Sequence, residues 1–110
     1  MTSTETDLRA ADVAWDLEPL VDGRGEAGVE ALLDEAEALV ARIVERRGTV
    51  AGLDADGLAA LMHDVAALHE RIGRAGSYAG LRFAEDTADP TRGALVQRTE
   101  TRAGMLGSEL

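Results

Sequence analysis

The sequence predicts an all-α fold, an antiparallel arrangement of three helices preceded by an extended N-terminal segment. Three stretches repeat apolar residues at steps of three and four, the spacing that places side chains on one face of a helix. Two of these stretches follow an aspartate suited to capping a helix N-terminus, Asp54 and Asp89. The connections between the stretches are short, so consecutive helices are expected to run in opposite directions.

The composition of the chain excludes several classes of site and partner. The chain has 110 residues, of which 45% are hydrophobic and 29% charged, enough for one modest core. It contains no cysteine, which excludes disulfides, thiolate metal sites and cysteine nucleophiles. The net charge of −10 argues against nucleic acid and anionic membranes as partners. No stretch resembles a membrane span or an export signal, and a cytoplasmic location is expected.

The N-terminal region divides into a tail and an anchored segment. Residues 1–12 are predicted to form a flexible acidic tail, and residues 13–110 one helical domain. Val13, Trp15 and Leu17 alternate along the sequence, which predicts a short extended segment docked on the core through Trp15. The sequence Asp22-Gly-Arg-Gly25 then predicts a turn.

The first helix is predicted near 26–47, with Gly48 ending it. Acidic residues early in this helix and arginines late in it match the helix dipole. Its apolar face is formed by Val29, Leu32, Leu33, Ala36, Leu39, Val40 and Ile43.

The second helix is predicted near 55–87, with Asp54 as its N-cap. Gly73, Gly76 and Gly80 are expected to make its second half soft, because glycine lowers helix stability. Its apolar face is formed by Leu58, Leu61, Met62, Val65, Leu68, Ile72 and Phe83.

The third helix is predicted near 90–110, because Asp89 as N-cap and Pro90 at the first helical position form a start signal. Its apolar face continues to the last residue without a stop signal, so we expect the chain to be truncated within or at the end of this helix. Side chains on this face are then expected to lack cover and to promote self-association: Val96, Ala103, Leu106 and Leu110.

No catalytic, cofactor-binding or metal-ligating residue is assigned from the sequence. His63 and His69 are six positions apart, so their side chains diverge by about 120° on a helix and cannot share one ion. Glu70 and Arg74 have the i, i+4 spacing of a surface ion pair. Tyr78 is interpreted, together with Phe83, as a core anchor rather than a substrate contact.

Two short motifs carry a resemblance to a known family. Trp15-Asp-Leu-Glu-Pro-Leu20 is similar to the "Trp-Asp-Leu" opening of oligoendopeptidase F and its thimet-oligopeptidase-like relatives. Tyr78-Ala-Gly-Leu-Arg-Phe-Ala-Glu-Asp-Thr87 is similar to the "Tyr-Ala-x-Leu" run of that family, with its following "Asp-Thr" before the next helix. The resemblance covers about residues 13–110 and identifies the chain as similar to the N-terminal domain of these zinc peptidases.

The resemblance implies an all-helical shell around a deep channel. In the family, zinc is held by His-Glu-x-x-His and a later glutamate, far downstream of this domain. This chain has no such motif, so it is not expected to be an enzyme by itself or to hold a cofactor. The implied role is a non-catalytic wall that limits substrates to short peptides, with the remainder of the peptidase chain as partner. The alternative is a free-standing acidic helical protein-interaction module.

Overall fold

The computed structural model describes residues 16–110, and this part of the chain is all-α, as predicted. Helix α1 spans Gly25–Glu45, α2 spans Ala55–Glu85 and α3 spans Pro90–Glu109. The predicted ranges agree with these bounds to within two residues at each end. None of the three helices in this range is both long enough and apolar enough to cross a lipid bilayer.

Helices α1 and α2 form an antiparallel hairpin. Near the C-terminal end of α1, Arg42 binds Asp64 in the first half of α2 at 2.6 Å. Two turns earlier in α1, Glu35 lies 3.6 Å from Arg71, which is two turns later in α2. The contacts therefore advance along the two helices in opposite directions.

Helix α3 returns antiparallel to α2 and consequently runs parallel to α1. At the α2–α3 corner, Arg92 donates a hydrogen bond to the carbonyl of Arg82 at 2.8 Å. Further along, Leu68 of α2 and Leu106 of α3 belong to one apolar cluster. The ends of α1 and α3 also meet, where Arg47 donates to the carbonyl of Leu110 at 2.6 Å.

The core consists of two apolar clusters along the bundle. The cluster near the start of α1 brings together all three helices and the N-terminal segment: Leu17, Val21, Val29, Leu32, Leu33, Ala75, Tyr78, Ala79 and Leu95. The second cluster lies toward the C-terminal end of α1: Ala36, Leu39, Val40, Leu68 and Leu106. The predicted apolar face of α1 supplies six of these fourteen side chains, whereas the face predicted for α2 supplies only Leu68.

Both predicted N-caps are confirmed. The carboxylate of Asp54 accepts a hydrogen bond from the backbone N–H of Gly57 at 2.7 Å. The carboxylate of Asp89 accepts one from the N–H of Thr91 at 2.9 Å, and Pro90 is the first residue of α3. Each aspartate satisfies a backbone donor that has no acceptor inside its own helix.

The predicted extended segment is wrong where the structure describes it. Val13 and Trp15 lie outside the described residues, so the docking of Trp15 stays a prediction. Leu17 has φ −94° and ψ −8°, which is helical rather than extended backbone, and a 3₁₀ turn follows over Glu18–Val21. Pro19 favours this turn, since its ring fixes φ near the helical value. The segment is nevertheless anchored in the core.

A glycine allows this anchoring. Val21 is 1% exposed and packs directly on the first turn of α1 at Gly28. A Cβ atom at position 28 would lie 2.6 Å from both the Cβ and the carbonyl oxygen of Val21. Any larger residue at position 28 would therefore push the N-terminal segment away from the bundle.

The third helix is better covered than its sequence predicts. Leu106 was expected to lack cover, but it is 5% exposed because it packs against α1 and α2. Val96 and Ala103 are half-buried, and only Leu110, 52% exposed, stays open as expected. The expectation failed for Leu106 because α1, running parallel to α3, lies over that turn.

Candidate functional site

The two motifs that carry the family resemblance meet in space. Glu18, from the first motif, accepts a hydrogen bond from the hydroxyl group of Tyr78, from the second, at 2.9 Å. The other oxygen of the same carboxylate accepts one from the backbone N–H of Gly25 at 3.1 Å. Leu17 and Tyr78 also share the first core cluster. The contact joins residues sixty positions apart, so it fixes tertiary structure.

The prediction that Tyr78 is a core anchor is confirmed. Its side chain is buried, and burial raises the pKa of its hydroxyl group, as does the hydrogen bond to Glu18. The hydroxyl therefore stays protonated at neutral pH and remains a hydrogen-bond donor. Phe83 is half-buried beside Gly93 at the α2–α3 corner.

Arg74 fastens the N-terminal turn to α2. Its predicted ion pair with Glu70 is present at 3.1 Å. Its Nε atom also donates to the carbonyl of Leu20 at 2.8 Å, and its Nη2 atom lies 3.2 Å from Asp22. Burial lowers the pKa of Arg74, but the hydrogen bonds to Glu70 and Asp22 outweigh burial and raise the pKa overall. The guanidinium therefore stays positively charged and holds the N-terminal turn against α2.

The two histidines do not form a site with each other. His63 and His69 are both exposed on α2. Within residues 16–110, no three histidine, aspartate or glutamate side chains converge as metal ligands. The described residues therefore do not fit a zinc ion, and no zinc-dependent step is assigned to them.

A cleft with a volume of about 270 Å³ lies between α1 and α2. At its floor, the buried carboxylate of Asp64 binds Arg42 at 2.6 Å and Arg46 at 2.9 Å. His63, adjacent in sequence, and Arg71 also line the cleft. Two arginines on one carboxylate leave little of it free to contact a ligand.

The charged groups of this cleft hold α1 and α2 together. The hydrogen bond from Arg42 lowers the pKa of Asp64, burial raises it, and the charges of Arg42 and Arg46 lower it further. The overall pKa is below the ordinary value, so Asp64 is ionised at neutral pH and is a poor proton donor or acceptor. The contact of Asp64 with two arginines was not predicted from the sequence. Its signal is that Asp64 lies on the apolar face of α2, between Leu61 and Leu68.

A second missed cluster joins α3 to α1. Arg102 binds Asp34 at 2.9 Å, Glu30 at 3.1 Å and Glu37 at 3.2 Å. The three acids follow one another at steps of four and three, so they form one row along α1. Arg102 lies on the same helix face as Leu106. A charged residue on an apolar face is the sequence feature that could have indicated this cluster.

The large hydrophobic side chains that stay exposed concentrate at one end of the bundle. This end contains the C-terminal ends of α1 and α3, the α1–α2 connection and the N-terminal turns of α2. The side chains are Val44, Val50, Leu58, Met62, Met105 and Leu110. The opposite end, closed by Glu18 and Tyr78, has no such side chain among the described residues.

The polar clusters within residues 16–110 join helices to one another. No family model, curated protein or solved structure matches the chain in comparisons with known proteins.

Proposed function

We propose that the chain is the non-catalytic N-terminal domain of an oligoendopeptidase F-like zinc metallopeptidase, working in the cytoplasm on short peptides. The observation that supports the proposal is the hydrogen bond between Glu18 and Tyr78. This hydrogen bond joins the two resembling motifs, so each helps to hold the other in place.

The proposed role is that of a rigid wall in the substrate channel. Arg74 and Tyr78 bind the N-terminal turn to α2 through the carboxylates of Glu18 and Asp22 and the backbone carbonyl of Leu20. A wall braced in this way cannot open easily to admit a folded or long polypeptide. The domain would therefore select substrates by length, and the remainder of the peptidase chain would be its partner.

The chemistry would reside elsewhere in the proposed peptidase. Zinc bound by His-Glu-x-x-His would polarise the scissile carbonyl. His63 and His69 cannot contribute to such a site together, since they point away from each other along α2. This domain would then affect which peptides enter more than the rate of the hydrolytic step.

The decisive test is the coding sequence downstream of the Leu110 codon. The proposal expects an open frame that encodes His-Glu-x-x-His. A frame without that motif would overturn the proposal and favour a free-standing acidic interaction module.

Kinetics of the longer protein test the role of the wall. For peptides of increasing length, loosening the brace with Arg74→Ala should relax the length limit and change kcat little. Arg98→Ala, on the distant α3, serves as the control. An unchanged length preference in Arg74→Ala, with folding intact by circular dichroism, would contradict the wall function.

Zinc analysis of the 110-residue chain tests its non-catalytic character. Elemental analysis should find far less than one zinc per chain, and peptide hydrolysis should be absent. Equimolar zinc that disappears on His63→Ala or His69→Ala would contradict the proposal.

A further inference from the structure

The cleft between α1 and α2 has both apolar and cationic walls. Its volume of about 270 Å³ equals that of roughly nine water molecules, so it suits a ligand of fewer than about ten non-hydrogen atoms. Ala38, Leu39 and Ala67 form the apolar part, and the short alanine side chains leave space between the helices. Arg42 and Arg71 supply the cationic groups. A cavity that combines apolar lining with a few converging polar groups is a candidate ligand site.

Both arginines keep hydrogen-bond donors for a ligand. A guanidinium group has five N–H donors. Among the described residues, Arg42 uses only its Nη2 atom, which binds Asp64 at 2.6 Å. Arg71 binds Glu70 through Nη1, and its Nε atom lies 3.6 Å from Glu35. Its Nη2 atom has no partner in the described part of the chain. Each guanidinium can therefore still donate to an oxygen atom placed in the cleft.

A buried carboxylate holds one of these arginines in place. Asp64 is 5% exposed and lies on the apolar face of α2, between Leu61 and Leu68. The side chain of Arg42 is 56% exposed, so without a partner it would sample many rotamers. A buried ion pair often contributes little net stability compared with apolar side chains of similar size. Asp64 is therefore better explained as a positioning residue, which orients the guanidinium of Arg42 at the cleft.

From these observations we infer that the cleft binds a small monocarboxylate, with its oxygens on Arg42 and Arg71 and a short apolar substituent against Leu39. Guanidinium groups match the two oxygens of a carboxylate in geometry and charge. Glu35, which also lines the cleft, and the net charge of −10 disfavour anions with more than one charge, such as phosphate. Free short-chain acids and the C-termini of short peptides share this chemistry. The inference does not depend on whether the chain belongs to a peptidase.

The two histidines provide a direct test by NMR, because His63 lines the cleft and His69 lies elsewhere on α2. Butyrate, titrated at constant pH and ionic strength into the 110-residue chain, should shift the ring proton signals of His63 and not those of His69. We expect saturation with a dissociation constant on the order of 1–10 mM. Butyramide, the uncharged counterpart, should cause no shift. N-Acetylalanine represents a peptide C-terminus, and the tighter of the two acids identifies the source of the ligand.

Matched substitutions separate the cleft from general effects of charge. Arg71→Gln should weaken butyrate binding about fivefold, the loss expected for one exposed ion pair. Arg98→Gln on α3 removes the same charge outside the cleft and should change binding little. Asp64→Asn should also weaken binding, because Arg42 loses its orientation, whereas removal of a nearby negative charge by itself would strengthen binding. Circular dichroism checks that each variant is folded.

Four results would count against the inference. Equal shifts of the His63 and His69 signals, equal effects of Arg71→Gln and Arg98→Gln, or tighter binding of phosphate than of butyrate would overturn the carboxylate site. Tighter binding of butyrate by folded Asp64→Asn would overturn the positioning role of Asp64.

Discussion

The α1–α2 hairpin and the attachment of α3 are stabilised in different ways. In the hairpin, α1 alone buries six apolar side chains: Val29, Leu32, Leu33, Ala36, Leu39 and Val40. Helix α3 buries only Leu95, Thr99 and Leu106. Much of its remaining contact with α1 is ionic, through Arg102 and the acidic row of Glu30, Asp34 and Glu37.

The difference implies unequal local stability. Buried apolar surface contributes about 25 cal/mol per Å² and is insensitive to moderate salt. Exposed ion pairs contribute about 0–1 kcal/mol each and are screened by salt. The acids that bind Arg102 are largely exposed, with 71% exposure for Asp34. Helix α3 is therefore the element that should detach first.

The largest expected effect comes from the core of the hairpin. Leu33 is fully buried at the contact of α1 with the rest of the first cluster. Leu33→Ala should lower the free energy of unfolding by about 2–5 kcal/mol, since it removes apolar contacts and leaves a cavity. Urea denaturation measures this change. Leu58→Ala, at a 48% exposed position, is the matched control, and an equal loss there would contradict the assignment of the core.

The buried ion pair should give the next largest effect. Asp64→Asn removes the negative charge shared by Arg42 and Arg46, and should lower the free energy of unfolding by about 1–3 kcal/mol. The cost stays below that of a fully buried pair because both arginines reach solvent. Urea denaturation of both proteins at pH 7 measures the difference.

The effect of Asp64 should also depend on pH. Its pKa in the folded protein lies below the ordinary value of 3.8, so ionised Asp64 stabilises the protein above about pH 4. This contribution is lost as the pH falls through the lowered pKa. The difference between the parent and Asp64→Asn should therefore stay constant from pH 7 to 5 and shrink below pH 4. A difference that grows on acidification would contradict the ion pair.

A smaller effect is expected where the N-terminal turn joins α2. Tyr78→Phe removes the hydrogen bond to Glu18 and should cost about 1–2 kcal/mol. A double-mutant cycle with Glu18→Ala isolates that contact, and we expect a coupling energy of about 1 kcal/mol. Additive effects of the two substitutions would show that the hydrogen bond does not form.

The smallest effect is predicted for the ionic contact of α3. Arg102→Gln should cost about 0.3–1 kcal/mol in dilute buffer, because its three partners are exposed. In 1 M NaCl the Debye length falls to about 3 Å, and the cost should nearly vanish. Urea denaturation at both salt concentrations tests this, and a cost independent of salt would indicate that packing of the Arg102 side chain matters instead.

Local features of the sequence predicted the helices well. The aspartate caps act within three residues, and the apolar periodicity acts within one helix, so both can be identified without tertiary structure. Asp54 and Asp89 confirm this, as does the burial of Leu33 and Leu39. The extended segment failed because alternation over a few residues is weaker than the turn that Pro19 favours.

Contacts between helices could not be predicted in the same way. The partner of Asp64 comes from α1, and that of Arg102 from an acidic row about 70 residues earlier in the chain. A charge on an apolar face signals that a partner exists but does not identify it. The cover over Leu106 depends likewise on α1 running beside α3. These features follow from the register of packed helices, which no single segment encodes.

Amide hydrogen exchange resolved by helix, in dilute buffer and in 1 M NaCl, tests most directly the claim that α3 is held by charge while the hairpin is held by its core. We expect the most protected amides of α3 to open at a lower free energy than those of α1 and α2. We also expect salt to widen the gap, because it screens the contacts of Arg102. Equal protection of the three helices at both salt concentrations would contradict the account.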